Sequence, residues 1–156
     1  MMKLSDLKYI VLKETALQFL SQHPKYKHRK IIFLDLDGVM DNAKYDIYLN
    51  KHNLPEKDEF GVLFDPDCIA ALVHIVEQTG ADIVISSSWK DYMTIDEIHA
   101  MWHKRQLPGK VIDVTPTISR HRGDEIATWL NLCPDTCSYV IIDDQPREQF
   151  NTDQYD

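Results

Sequence analysis

Three short apolar runs each end in a residue capable of chemistry, and this recurrence constrains the chain most. Ile31-Ile32-Phe33-Leu34 runs into Asp35, and Ala81-Asp82-Ile83-Val84-Ile85 into Ser86. Ser138-Tyr139-Val140-Ile141-Ile142 runs into Asp143 and Asp144. Nearly continuous apolar runs of this length are what strands buried on both faces require. Helical spacing fills the intervals. Asp65-Pro66 supplies a cap and a first-turn proline, Ile69, Leu72, Val73 and Val76 form a stripe, and Gly80 closes the helix. Further helices are predicted around 95–104 and 123–132, with a short strand at 110–114. Strands alternating with helices predict an α/β fold, a three-layer Rossmann-like parallel sheet with helices on both faces. In such sheets ligands bind beyond the carboxyl ends of the strands. The acid, the hydroxyl and the second acid pair all fall there.

The length of 156 residues suits one domain, with its core over 30–146. Leu4, Leu7, Ile10, Val11, Ala16, Leu17 and Leu20 predict an N-terminal helix within 1–24, ending before His23-Pro24. The basic cluster from Lys25 to Lys30 reads as a solvated turn. Residues 40–64 are polar and mixed, and read as a loop with room for a short hairpin or helical turn. A net charge of −8 argues against a broad polyanion-binding face, though not against a local basic patch around one phosphate. Three cysteines make no disulfide framework and fit a reducing compartment. Cys133 and Cys137 lack a second Cys or Cys/His pair at zinc-site spacing, and read as small apolar residues near a turn. No apolar run approaches the ~20 residues that span a bilayer. The N-terminus does not read as a signal peptide, so cytoplasmic residence without membrane contact is expected. No obligate protein partner is evident.

Asp35 and Asp37 stand two apart at a strand end, where side chains point the same way. Two converging carboxylates repel unless a cation compensates or one takes a proton. Mg²⁺ is the natural cation, held by carboxylates, waters and substrate phosphate oxygens. Asp143 and Asp144 can complete the acidic set from another strand end. A carboxylate can attack phosphorus, a second can protonate the leaving oxygen and later activate water, and a hydroxyl and a guanidinium can hold the phosphoryl group. Ser86 and Arg122 offer these last two groups. Gly38 lets the backbone turn closely beside the phosphate.

This arrangement resembles the haloacid dehalogenase (HAD) superfamily. Its first motif is similar to Asp35-Leu36-Asp37-Gly38-Val39, and its second to Ile83-Val84-Ile85-Ser86. Its third is similar to Arg122 in Arg122-Gly123-Asp124-Glu125-Ile126, and its fourth to Val140-Ile141-Ile142-Asp143-Asp144. All four stand in family order between residues 31 and 146. The resemblance implies a Mg²⁺-dependent phosphomonoester hydrolase working through an aspartyl-phosphate. Asp35 is then nucleophile and metal ligand, and Asp37 the acid/base with its carbonyl on the metal. Ser86 and Arg122 hold the phosphoryl group; Asp143 is a metal ligand and Asp144 assists.

Phe64-Asp65-Pro66, Ser86-Ser87-Ser88-Trp89-Lys90, Thr115-Pro116 and Arg122-Gly123-Asp124-Glu125-Ile126 are similar, more narrowly, to the HAD domain of Swiss-army-knife RNA repair proteins. This implies work on phosphorylated nucleic-acid ends or nucleotides, with an RNA or nucleotide phosphate as the partner. Met40 and Asp41 depart from the usual apolar continuation of the first motif, and Lys90 stands where Arg is common. The segments after the first and second motifs, about 25 and 30 residues, are too short for a full cap domain. The chain stops soon after the fourth motif, which leaves open whether a further strand or helix belongs at that edge.

Some choices stay open in the sequence. Ser87 and Ser88 compete with Ser86, and Lys90 and Arg120 compete with Arg122. His99 and His103, four apart, read as a solvated helix face because no third ligand accompanies them. Trp129 reads as packing, and Trp89 as packing with a rim role as the alternative. The competing function is a non-catalytic phosphate-binding or phosphoacceptor module, such as a receiver-like domain. Its acceptor acid would sit on a middle strand, where this chain has Ser86. A dehalogenase acting on carbon would need neither Asp37 as a proton donor nor Mg²⁺.

Overall fold

A computed structural model of the chain describes residues 28–155. The expected N-terminal helix over 1–24 lies outside the described residues. The order is β1 (Arg29–Leu34), α1 (Ala43–Lys51), β2 (Lys57–Asp58), β3 (Gly61–Val62), α2 (Pro66–Thr79), β4 (Asp82–Ile85), α3 (Ile95–Lys104), β5 (Val111–Val114), α4 (Arg122–Leu132) and β6 (Cys137–Ile142). Four strands form one parallel sheet in the order β5-β4-β1-β6.

Alternation along β1 assigns the layers. Ile32 and Leu34 pack with Leu72 of α2 and Ile98, Met101 and Trp102 of α3. Ile31 and Phe33 pack on the opposite face with Ile126 and Trp129 of α4. Phe33 meets the rings of Trp129 and Tyr139 edge-on, at 5.4 and 5.7 Å between centroids. The predicted three-layer architecture is therefore present. The chain steps outward from β1 to β4 and β5, then returns through α4 to β6 on the other side of β1. The reversal between β1 and β6 makes the crevice above them the expected ligand site.

Local chemistry explains the boundaries. Asp65 caps α2 by accepting from the Asp67 amide, and Gly80 ends it at φ 64°. Thr94 and Glu97 form a capping box on α3. The region read as a loop contains the nine-residue α1 and the two-stranded ribbon β2–β3. Periodicity hid α1 because only Leu49 is buried, while Ile47 and Tyr48 face outward. Asn42 starts it, accepting from the Tyr45 amide at 2.9 Å. The final residues fold back over the start of α4. Gln154 donates to the Gly123 carbonyl, and a Cβ on Gly123 would lie 2.7 Å from the Asn151 amide.

Candidate active site

The sheet ladder continues one residue beyond the strands. The amide of Asp35 donates to Ile142, that of Ser86 to Leu34, and that of Thr115 to Ile85, each at 2.9 Å. Register then sets the neighbours: Leu34 pairs with both Ile85 and Ile142, so Asp35 stands beside Ser86 and Asp143.

Carboxylate oxygens of Asp35, Asp143 and Asp144 lie within 4.8 Å of one another. The Asp35 and Asp143 side chains are only 3% and 1% exposed. Burial, and next the charge of Asp143, push the Asp35 carboxyl up to about 6, against the pull of Ser87, Arg122 and the Leu36 amide. Burial raises Asp143 as well. Arg122 Nη1 reaches into this cluster, 3.6 Å from Asp35 Oδ1 and 3.5 Å from Asp143 Oδ2, and it donates to the Ser86 carbonyl.

Two buried polar atoms here lack hydrogen-bond partners, Ser86 Oγ and Asp143 Oδ2. Such atoms cost stability unless a ligand satisfies them. Hard oxygen donors from two buried carboxylates and the exposed Asp144, repelling one another, suit a divalent cation such as Mg²⁺. The residues present therefore fit the cofactor expected from the sequence.

The Asp37 carboxylate does not join that cluster. It turns outward, where Trp89 Nε1 donates to Oδ1 at 2.6 Å and Ser88 Oγ to Oδ2 at 3.3 Å. Carboxylate convergence of Asp35 with Asp37, expected from their spacing, is thus replaced by convergence of Asp35 with Asp143. The extended segment ends at Leu34, and a tight turn re-aims Asp37.

The sequence profile of the HAD domain in Swiss Army Knife RNA repair proteins matches residues 31–155. The chain belongs to this family. No curated protein and no solved structure matches it significantly.

The serine run of this HAD domain divides its labour. Ser86 Oγ remains free, Ser87 hydrogen-bonds Asp35, and Ser88 reaches Asp37. Of the cations considered for the phosphoryl group, only Arg122 reaches the cluster. Arg120 is exposed, and Lys90 turns away to Glu125, Thr115 and Pro116. Gly38 adopts φ 75°, and a Cβ there would lie 2.1 Å from Asp144 Oδ2. Its amide donates to Asp41 Oδ1 at 3.0 Å, so Gly38 contributes close approach and not a spare donor. Asp41, a departure from the family pattern, thus closes the turn. Gly38→Ala is expected to displace Asp144 and weaken Mg²⁺ binding about tenfold, as lost support of a ligand typically does. Titration calorimetry with Mg²⁺ checks this, and unchanged affinity would contradict it.

Other weighed residues fall elsewhere. His99 Nε2 lies 2.8 Å from the Val111 carbonyl, and His103 is exposed. The Cys133 and Cys137 sulfurs are 3.6 Å apart as free thiols. Among the described residues, the only carboxylate, thiol or imidazole group suited to a metal is the Asp35 cluster. Trp129 is core. Among the described residues no helix is long and apolar enough to cross a membrane. Sequence reading missed the parts played by Trp89 and Ser87, because only the fold of the turn at Ser88–Asp91 aims them.

Proposed function

We propose that this HAD domain is a Mg²⁺-dependent phosphomonoester hydrolase acting through an aspartyl-phosphate. One observation carries the reading: an acid cluster in which the Asp35 and Asp143 side chains are buried, and Asp143 Oδ2 accepts no hydrogen bond, stands beside a serine hydroxyl without a hydrogen-bond partner and the Arg122 guanidinium. Asp35, Asp143 and the Asp37 carbonyl would hold Mg²⁺, with Asp144 assisting. Bound there, the ion supplies charge neutralisation, so an anionic ester can approach an anionic carboxylate.

The remaining work belongs to the protein. Asp35 attacks phosphorus in line with the leaving oxygen. The Ser86 hydroxyl and Arg122 hold the equatorial phosphoryl oxygens as charge spreads over them. Asp37, outside the acid cluster and facing solvent, gives its proton to the leaving oxygen and then takes one from the water that cleaves the acyl-phosphate.

The substrate is a phosphorylated nucleic-acid end or a nucleotide. The family supports this, as does a short insert of one helix and one ribbon after the first motif. Three free thiols agree with a reducing cytoplasmic setting.

Phosphate release from an aryl phosphate, nucleotides, sugar phosphates and 3′- or 5′-phosphorylated oligonucleotides tests the reading. Turnover is expected to require Mg²⁺, to stop with chelator and to favour nucleic-acid phosphates. Mg²⁺ is also expected to raise the melting temperature at pH 7.5 and to lose that effect below about pH 6, where Asp35 takes up its proton. Stable phosphorylation by acetyl phosphate without turnover would instead identify a phosphoacceptor module.

A further inference from the structure

We propose that Trp89 is a positioning residue for Asp37, its indole N–H deciding which carboxyl oxygen carries the proton delivered to the leaving group. The inference rests on the hydrolase reading above and adds a residue to it.

Asp37 lies on an exposed turn, where a short acidic side chain is normally free to rotate. Trp89 removes that freedom. It is 2% exposed, and its ring packs against Phe64 and Tyr92 at 5.6 and 6.0 Å between centroids. Gly61 approaches the ring so closely that a Cβ there would lie 3.3 Å from it. The guanidinium of Arg105 lies 6.0 Å from the ring centroid and 4.7 Å from that of Phe64. Arg105 is itself held by both oxygens of Asp58 and by the Gly61 carbonyl. A donor packed this tightly keeps its direction.

Indole N–H is only a donor. Oδ1 of Asp37, 2.6 Å away, must therefore accept in both protonation states. The acidic proton is left to Oδ2, whose neighbour Ser88 Oγ can donate or accept. In the first half-reaction the Oδ2–H bond breaks, and its proton passes to the leaving oxygen as the bond from that oxygen to phosphorus breaks and Asp35 bonds phosphorus. In the second half-reaction Oδ2 recovers a proton from the attacking water, whose oxygen bonds phosphorus as the bond from the Asp35 oxygen to phosphorus breaks, releasing inorganic phosphate and the free Asp35 carboxylate. Ser88 and Trp89 stand in the turn that Ser87 caps, directly after Ser86, so four consecutive residues contact or present the phosphoryl hydroxyl, the nucleophile and the acid.

Proton donation matters most when the leaving group is poor. Trp89→Phe keeps an aromatic ring and removes the donor. Its kcat/KM should fall about tenfold to a hundredfold on an alkyl phosphate, the range for one hydrogen bond to a charged group. On p-nitrophenyl phosphate it should change less than about threefold, because that leaving group needs little protonation. Asp37→Asn should show the same selectivity more strongly, whereas Asp35→Asn should lose both substrates. Ser88→Ala, at an exposed position, provides a second variant independent of core packing and should show a smaller selective loss. Equal losses on both substrates, or none, in Trp89→Phe and Ser88→Ala would overturn the proposal and leave the hydrolase intact. A wild-type protein that hydrolyses neither substrate would overturn both.

Discussion

Replacing Asp35 by asparagine is expected to lower turnover by at least about a thousandfold while stabilising the metal-free protein above pH 6. The first effect follows from removing the attacking oxyanion, since a neutral amide is a poor nucleophile toward phosphorus. The second follows from where the carboxylate sits. Burial and the charge of Asp143 push Asp35 up to about 6, whereas an unfolded aspartate titrates near 4. The folded state therefore binds more protons between pH 4 and 6, and stability falls as pH rises through that window. The loss is complete above about pH 6 and amounts to on the order of 3 kcal/mol. The asparagine side chain carries no such charge, so the variant should match the wild type near pH 4 and exceed it at pH 7.5. Asp143, raised by burial, adds to the same trend in both proteins. Added Mg²⁺ should reverse the order at pH 7.5 by stabilising only the wild type. Thermal melts at both pH values, with and without chelator, measure the stability term, and phosphate release measures the other. Retained turnover would remove Asp35 as nucleophile. Parallel melting curves across pH would show that its carboxylate is not strained by burial.

Cutting one partner from the Lys90–Glu125 pair should cost about 3–5 kcal/mol, the range for stranding a buried charge. The two side chains are 5% and 7% exposed. Lys90 Nζ donates to Glu125 Oε2, to Thr115 Oγ1 at 2.9 Å and to the Pro116 carbonyl at 3.2 Å. Glu125 Oε1 also accepts from the amides of Ile118 and Ser119, at 3.1 and 3.4 Å. The pair thus ties the turn after β4 to the loop between β5 and α4, the loop that delivers Arg122. Lys90→Met and Glu125→Leu should each unfold at much lower urea concentration. The double variant should recover most of the loss, because it strands no charge. Activity of a folded Glu125→Leu should fall too, through a misplaced Arg122. A single-variant cost below about 1 kcal/mol would mark the pair as equivalent to a surface ion pair.

Much of the site was legible before any coordinates. Apolar runs 31–34, 83–85 and 140–142 are strands, and the acids and serine following them share one edge of the sheet. Asp65, Pro66 and Gly80 marked α2 by local chemistry alone. Illegible features lacked a local signal. α1 has no buried stripe. Asp37 departs from the period-two expectation because the strand ends before it. Asp41 looked like an aberration in the first motif and instead accepts from the Gly38 amide.

What the sequence determined by itself is the class of fold and the order of its four motifs. Strand burial, helix caps and strand-end polarity are written in neighbouring residues, whose effects act over a few ångströms of one chain segment. Only the tertiary structure decided which of three serines keeps a free hydroxyl, that Lys90 serves Glu125 and not the phosphoryl group, and that Trp89 grips Asp37. Those outcomes depend on register and packing between segments 35 to 52 positions apart, and no local pattern encodes the direction of a side chain across such a gap.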